Sequence, residues 1–225
     1  MALLLNEEQQ YLKDTAKDFV QKKAPINHFR ELRDSKDETG YSKELWKQMA
    51  ELGWAGVLIS EEYGGSDFGM VGMGGILEET GRCLVPSPLF ATALLGASLI
   101  GLGGKADQKK DLLPKIAKGE LTTAFALEEG SRHTPYRIST TAKKKGKDFV
   151  LNGKKTFVLD GHSADLIVLA ARTSGGIEDQ SGISLFLIDP NSTGLQRKRT
   201  HMVDSRNSSE IHLKDVEVSE TKLLG

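Results

Sequence analysis

The side chains that most often perform catalysis are not spaced in this 225-residue sequence as a general catalytic motif requires. The histidines lie far apart and form no His-Glu-x-x-His pair; they are His28, His133, His162, His201 and His212. Solvated loop or strand histidines are therefore favoured over a metal site assembled in space. Gly161-His162-Ser163 lacks the second glycine of a nucleophile elbow, so no serine nucleophile is predicted there.

Glu128 and Glu129 are a candidate carboxylate pair for general acid–base chemistry. Adjacent residues of a strand point to opposite faces of the sheet, so the two carboxylates are not expected to share one site. Spacing alone therefore predicts no catalytic residue.

The glycine-rich segment 64–75 is a candidate phosphate-binding loop. A dinucleotide-binding loop follows a strand and opens a helix within a βαβ unit. That context is missing before Gly64, so a surface loop and close helix packing are favoured over phosphate binding.

The composition is that of an ordinary globular protein, with 38% hydrophobic and 27% charged residues. The formal net charge of -1 gives no electrostatic reason to expect nucleic acid or a membrane as partner. Cys83 is the only cysteine, which excludes an internal disulfide and favours a reducing, cytoplasmic setting. The apolar run at residues 2–5 is too short for the core of a signal peptide.

The first half of the chain has the apolar spacing of helices. Asn6 is a predicted N-cap, with Gln9 in the capping-box position. The apolar segment 89–100 predicts a buried helix. An amphipathic helix is predicted over 107–118, where Pro114 is expected to split it into two short pieces.

After Gly119 the pattern becomes that of strands. Strands are predicted over 122–127, 149–151, 156–159, 166–171, 183–188 and 211–218. Asn152-Gly153 is a predicted hairpin turn, and Lys214-Asp215 a turn or bulge within the last strand.

Helices first and strands second predict an α+β fold. We expect an all-helical N-terminal domain over residues 1–121, followed by an antiparallel β-barrel or sandwich domain over residues 122–225.

Short motifs along the whole chain resemble, in the same order, those of the acyl-CoA dehydrogenase family. In the first half they are Leu52-Gly53-Trp54, Glu61 to Gly65, Leu77 to Arg82 and Asp107 to Glu120. In the second half they are Ala124 to Glu129, Leu151 to Lys155, Gly182 to Asp189 and Glu210 to Leu224. In detail the pattern is most similar to the small subunit of pimeloyl-CoA dehydrogenase-type enzymes.

The resemblance implies an FAD-dependent oxidoreductase of fatty-acid metabolism that introduces a trans double bond between the α and β carbons of an acyl-CoA thioester. In that family a glutamate of the C-terminal helical domain removes the α proton and flavin N5 accepts the β hydride. This sequence ends at Gly225, where that domain would begin, so the resemblance implies a chain that lacks the general base.

The resemblance also implies the residues that line the cofactor. Phe125, Ala126 and Leu127, with Glu128, match the strand whose backbone approaches the flavin, and Phe157, Val158 and Leu159 match the segment against the other side of the ring. Ser131 or Thr134 stands where the family has a serine that contacts flavin or substrate, and both remain candidates.

Some of these positions depart from the family pattern. Glu128 stands where a threonine is expected, and Phe157 keeps an aromatic face where tryptophan is usual. Leu159 replaces the hydroxyl residue that would hydrogen-bond the flavin.

The resemblance further implies an acyl-CoA substrate and a homo- or hetero-oligomer with acyl-CoA dehydrogenase subunits. Two alternatives remain open. One is a non-catalytic subunit or assembly module that pairs with an active paralogue. The other is a relative that binds acyl-CoA or flavin without oxidising it.

Overall fold

The computed structural model of the protein describes residues 4–225, so the first two residues of the apolar run at 2–5 lie outside the described residues. Helices fill the first half of the chain. They are α1 (Glu7–Lys23), α2 (Ile26–Asp34), α3 (Lys43–Glu51), α4 (Gly69–Arg82), α5 (Ala97–Gly103) and α6 (Ala106–Ala117). A π-helical segment (Leu89–Gly96) runs directly into α5, so the buried helix predicted over 89–100 is present and continues to Gly103.

The caps of the first helix follow the sequence. The Asn6 side chain accepts a hydrogen bond from the Gln9 backbone N–H, and the Gln9 side chain accepts one from the Asn6 N–H, which confirms the predicted capping box. The prediction at Pro114 was wrong, because α6 is continuous from Ala106 to Ala117. Proline removes one backbone hydrogen bond, but Leu113 and Ile116 are buried on either side of it and hold the helix by packing.

Strands form the second half. They are β1 (Thr123–Ala126), β2 (Thr141–Lys145), β3 (Asp148–Leu159), β4 (Leu166–Arg172), β5 (Ile183–Ile188), β6 (Leu195–His201) and β7 (Asn207–Val218). Their order in the sheet is β1-β4-β2-β3-β7-β6, with β5 paired to β4, and the sheet curls into a half-barrel. The α+β fold with helices first is therefore confirmed.

The sheet is mixed, whereas the sequence predicted an antiparallel one. β1 pairs parallel to β4, and β2 meets β4 in parallel at Thr141 and Arg172. In the chain the β2–β3 hairpin separates β1 from β4. After this hairpin, β4 runs in the same direction as β1.

The predicted turn at Asn152-Gly153 is wrong, since β3 runs straight through it. The tight turn lies between Lys145 and Asp148, where Gly146 adopts a left-handed conformation with φ 66°. The bulge predicted at Lys214-Asp215 is confirmed by a register shift against β3. The Asn152 side chain explains both results. It donates a hydrogen bond to the Asp215 carboxylate at 3.0 Å and accepts one from the Asp215 N–H at 2.9 Å.

Each half of the chain has its own apolar core. Trp54 is fully buried among the helices and contacts Phe19 edge-on at 5.1 Å between ring centroids. Leu151 and Phe186 are among the fully buried residues inside the curled sheet.

The helical half is fixed to β1 by a close contact. Thr92 of the π-helical segment accepts a hydrogen bond from the Thr123 N–H at 2.8 Å. A Cβ atom on Gly96 would stand 1.8 Å from Thr123 Oγ1, so only glycine permits this approach. The helices thereby set the position of the strand that the sequence associates with a cofactor.

Two further properties concern the described residues alone. None of the helices between residues 4 and 225 combines the length and apolarity that a membrane crossing demands. The same residues bring together no group of three or more histidine, cysteine or acidic side chains arranged to hold a metal ion.

Candidate functional site

The two segments predicted to line a cofactor meet beside β3. The Thr156 N–H donates to the Glu128 carbonyl at 2.7 Å, and Lys155 Nζ donates to the Leu127 carbonyl at 3.0 Å. The chain that leaves β1 is therefore hydrogen-bonded to the segment that precedes Phe157. Residues far apart in sequence thus form one continuous surface.

Phe157 differs from its neighbours on this surface because its backbone is strained and its ring is exposed. Its φ is 52°, a conformation that costs a non-glycine residue free energy, and it lies at a register shift between β3 and β7. The residue is 58% exposed, an unusual state for a phenylalanine. Strain of this kind that turns an apolar ring outward is a mark of a functional position.

A cavity of about 240 Å³ lies against the Phe157 ring. Phe90, from the π-helical segment, and Leu159 add apolar walls to it. Asp160 and Arg206 add polar groups. We call this cavity the Phe157 pocket. Its volume suits part of an aromatic ring system and not a whole dinucleotide.

The other predicted cofactor-lining residues differ in what they can contribute. Ala126 and Val158 are fully buried, backbone included, so neither presents an atom at the surface. Phe125 and Leu127 are half-buried. Leu159 lines the Phe157 pocket, but its side chain has no group to donate a hydrogen bond.

Glu129 and Lys155 form a buried ion pair under this surface. Lys155 is fully buried, and its Nζ lies 2.7 Å from Glu129 Oε1. Burial alone would raise the pKa of Glu129, but hydrogen bonds from Lys155, Ser139 and Thr140 lower that pKa to about 2. Burial lowers the pKa of Lys155, and the Glu129 carboxylate opposes that effect. The pair ties β3 to both ends of the loop 127–140.

Glu128 faces different partners from Glu129, as their adjacency predicts. Its carboxylate lies 2.5 Å from His133 Nδ1 and 3.4 Å from the Thr134 N–H. It therefore shapes the exposed loop that carries Ser131 and does not enter the Phe157 pocket, whose lining it does not join.

Ser131 and Thr134 line a second cavity of about 390 Å³, apart from the Phe157 pocket. Arg132 and Arg137 line it too. The structure therefore separates the two candidates for a substrate or cofactor contact from the phenylalanine, and it leaves both of them exposed.

Asp160 is an acidic residue that lines the Phe157 pocket. A fraction of the residue is exposed, but its carboxyl is densely surrounded, and its hydrogen bonds with residues 4–225 all involve its backbone. Burial raises the pKa of Asp160 to about 7, although the charge of Arg206 acts in the opposite direction. The folded protein therefore favours the neutral acid.

This raised pKa predicts a pH-dependent effect of Asp160→Asn on stability. The folded chain holds the proton up to about pH 7, whereas the unfolded chain releases it near its ordinary value of 3.8. The stability associated with Asp160 is thus complete below pH 3.8 and is lost as pH rises through 7. Asp160→Asn should raise the free energy of unfolding, relative to the unsubstituted protein, by on the order of 2 kcal/mol more at pH 8 than at pH 4. Thermal or urea unfolding measures this difference.

Asp204→Asn is the matched control, since Asp204 lines the same pocket beside Arg206. An equal gain for Asp160→Asn at both pH values would contradict the assigned environment of Asp160.

Lys155, Phe90 and Asp160 belong to the site although sequence patterns did not identify them. Lys155 could have been found, because Phe149, Leu151 and Lys155 share the inward face under strand alternation. Phe90 gave no local signal, because a helix brings it to the pocket from the other half of the chain.

The glycine-rich segment 64–75 serves packing, as the sequence favoured. A Cβ atom on Gly65 would lie 2.0 Å from the Ile59 carbonyl oxygen, and one on Gly72 would lie 2.4 Å from the Phe68 ring. These glycines permit close approach of neighbouring segments.

Family models match nearly the whole chain. Residues 6–120 match the acyl-CoA dehydrogenase N-terminal domain, and residues 124–216 match the acyl-CoA dehydrogenase middle domain. The chain therefore belongs to the acyl-CoA dehydrogenase family.

Known proteins agree in sequence and in fold. A 3-(aryl)acrylate reductase of Clostridium sporogenes is 28% identical over 99% of this chain and 59% of its own length. An acyl-CoA dehydrogenase of Geobacillus kaustophilus superposes with a TM-score of 0.84 at 29% identity, over the whole chain and 60% of that structure. The ChsE4–ChsE5 complex of Mycobacterium tuberculosis shares the fold, with a TM-score of 0.87 at 22% identity over the whole chain and 58% of that structure.

These shares mean that the chain spans little more than half the length of the relatives it matches.

Proposed function

We propose that this chain supplies the N-terminal and middle-domain side of an FAD-dependent acyl-CoA dehydrogenase site. The observation that carries the proposal is the meeting of Phe125 to Leu127 with Phe157 to Leu159 through hydrogen bonds at Thr156 and Lys155. The family match supports a flavoprotein that oxidises acyl-CoA thioesters between the α and β carbons.

The residues present fit one side of a flavin ring. The exposed Phe157 ring offers a flat face for stacking, and Phe90 and Leu159 exclude water beside it. FAD, when bound, would accept the hydride equivalent removed from the substrate. The chain's own part is to orient the ring by apolar contact and by the backbone of Phe125 and Leu127, on either side of the buried Ala126.

The second cavity suits the polar end of an acyl-CoA. Arg132 and Arg137 would attract its phosphates, and the hydroxyl groups of Ser131 and Thr134 can donate hydrogen bonds to them. Either hydroxyl can meet this requirement, so both stay in the proposal. The apolar acyl chain would then run toward Phe90 and the Phe157 pocket.

The general base is proposed to lie outside residues 1–225. Glu129 is held by Lys155, Ser139 and Thr140, and Glu128 by His133 and Thr134, so each has a structural partner. Asp160 lies beside Phe157, on the side proposed for the flavin, whereas the base is needed on the opposite side of the substrate. A carboxylate must therefore come from another segment or another chain.

The wider organisation follows the same proposal. We place the helical domain at residues 1–121 and the middle domain at residues 122–225, in a cytoplasmic protein that assembles with copies of itself or with a related dehydrogenase subunit. ChsE4 and ChsE5, which share this fold, form a complex with each other, and this supports pairing between related subunits.

A second candidate is a non-catalytic subunit that pairs with an active paralogue. Leu159 favours it, because this residue cannot supply the hydroxyl hydrogen bond that the flavin is expected to receive at that position. A purified protein that is colourless and shows no flavin absorption would favour this subunit role. A bound flavin whose absorption is bleached on addition of acyl-CoA would favour the dehydrogenase.

The proposal is tested by titrating FAD into residues 1–225 and following flavin fluorescence. We expect weak binding that dialysis reverses, because most contacts to the ADP half would come from elsewhere. Phe157→Ala should weaken binding by roughly 3- to 10-fold, the loss of one aromatic stacking contact. Tyr11→Ala is the matched control, since Tyr11 is 75% exposed on α1, away from the pocket.

Stoichiometric FAD that survives dialysis would contradict the one-sided site. An unchanged affinity in Phe157→Ala would contradict the stacking role of this residue.

A further inference from the structure

A separate basic pocket of about 310 Å³ lies between α2 and the β6–β7 connection. Its rim carries five side chains that are or can become cationic: Arg33, Lys36, Arg199, His201 and Arg206. Among residues 4–225, no carboxylate lines it. This concentration of one charge is notable in a chain whose net charge is -1.

Most of these cations are not neutralised locally. Arg33 is paired with Asp34 at 2.7 Å. Within the part of the chain that the structure describes, Lys36, Arg199 and Arg206 form no ion pair. Like charges around one cavity repel each other, and a bound anion would remove that repulsion.

Arg199 is held in place at this rim by the backbone. Its Nη1 donates to the Asp37 carbonyl at 2.6 Å and to the Glu38 carbonyl at 3.0 Å. Gly40 has φ 79°, and its backbone lies close to the Arg199 guanidinium. A Cβ atom at this position would lie 2.9 Å from Arg199 Nη2. Carbonyl oxygens position the guanidinium without cancelling its charge, so its orientation is fixed in advance.

The floor of the basic pocket is apolar. Phe29 and Leu32 of α2 approach it from the helical half, and Met202 approaches from the β6–β7 connection. A cavity with an apolar floor and a cationic rim matches a ligand that has an organic body and an anionic end.

We propose that the basic pocket binds a small organic phosphate ester, with the phosphate at Lys36, Arg199 and Arg206 and the organic part on Phe29, Leu32 and Met202. A phosphate dianion matches several cations better than a carboxylate does, and arginine binds its oxygens in a bidentate manner. The pocket is distinct from the proposed flavin surface, although Met202 and Arg206 line both cavities.

The test uses residues 1–225 and isothermal titration calorimetry at constant ionic strength, with phenyl phosphate as probe. Inorganic phosphate reports the anion site without the apolar floor, and benzoate reports a single charge on the same ring. We expect saturable binding of phenyl phosphate, roughly fivefold or more weaker binding of inorganic phosphate, and the weakest binding for benzoate.

Two variants locate the site. Arg199→Gln should weaken phenyl phosphate binding by about tenfold, the effect of losing one hydrogen bond to a charged group. Lys36→Gln should weaken it by roughly threefold, and it keeps the test decisive if Arg199→Gln fails to fold. Arg30→Gln on the same helix is the matched control, because Arg30 does not line the pocket.

Absence of saturable binding for all three probes would overturn the proposal. So would equal weakening by Arg30→Gln and Lys36→Gln, since that would indicate non-specific attraction. Competition between phenyl phosphate and FAD would also overturn it, because the pocket would then be part of the flavin site.

Discussion

A polypeptide of residues 1–225, given FAD, an acyl-CoA and an artificial electron acceptor, is expected to show no measurable oxidation of the thioester. The reaction requires a carboxylate placed over the α carbon on the side opposite the flavin. Glu128 and Glu129 are bound to structural partners, which are His133 for Glu128 and Lys155 and Ser139 for Glu129, and Asp160 lies on the Phe157 side. Loss of a general base alone typically costs on the order of 100- to 10,000-fold in rate.

The matching control is the recovery of acyl-CoA oxidation when the part of the family's length that residues 1–225 do not cover is supplied. The Geobacillus kaustophilus structure extends beyond the part that this chain covers, which is 60% of it. We expect activity when residues equivalent to that remainder are supplied, in the same chain or as a partner subunit. Turnover by residues 1–225 alone that disappears in Glu128→Gln or Glu129→Gln would place the base within the middle domain and contradict this account.

Lys155→Met is expected to lower the free energy of unfolding by roughly 3 to 5 kcal/mol at pH 7. The substitution leaves the Glu129 carboxylate buried without its cation and frees the Leu127 carbonyl from its donor. The loop 127–140 would lose both Lys155 contacts to β3 and keep the Thr156–Glu128 hydrogen bond, so chemical denaturation should show a lower free energy of unfolding. The same change should disorder the proposed flavin surface.

Two variants separate this effect from a general cost of substitution in β3. Lys154→Met removes a half-exposed neighbour that pairs with Glu210 at 3.1 Å, and it should cost less than about 1 kcal/mol. Glu129→Gln combined with Lys155→Met removes the unpaired charge but keeps an acceptor for Ser139 and Thr140. The double variant should recover roughly 2 kcal/mol of the loss. Equal costs for Lys154→Met and Lys155→Met would contradict the buried-pair assignment.

The pH dependence of this pair has a definite sign. The pKa of Glu129 is lowered to about 2 from an ordinary value of 4.5. Its contribution is therefore present above pH 4.5 and is lost as pH falls toward 2. Asp160 acts in the opposite direction over pH 4 to 7, so the two groups can be told apart by the pH range in which each variant differs.

Much of the fold could be predicted because local patterns and tertiary structure agree. Asn6 and Gln9 form the predicted cap, and the apolar segment 89–100 is helical. Three features required knowledge of neighbours. Packing keeps α6 continuous at Pro114. Asn152 lies within a strand because its side chain bonds the bulge at Asp215. Helix α2 has no fully buried residue to mark it in the sequence.

The site could be predicted in part for a related reason. The resemblance selected two segments that the structure places side by side, although the roles of their residues remain predictions. It could not reveal that Phe157 is strained and exposed, since a positive φ arises from the bulge between β3 and β7. It could not place Phe90 or Arg206 either, because packing between distant parts of the chain brings them to the pocket.

Hydrogen–deuterium exchange with and without saturating FAD tests most directly whether these two segments form a flavin surface. We predict slower exchange in peptides that cover residues 124–131 and 155–161, and unchanged exchange in the glycine-rich segment 64–75. The same protection should be absent with Phe157→Ala at equal FAD concentration. Protection centred on 64–75, or binding that leaves 124–131 and 155–161 unprotected, would contradict the central claim.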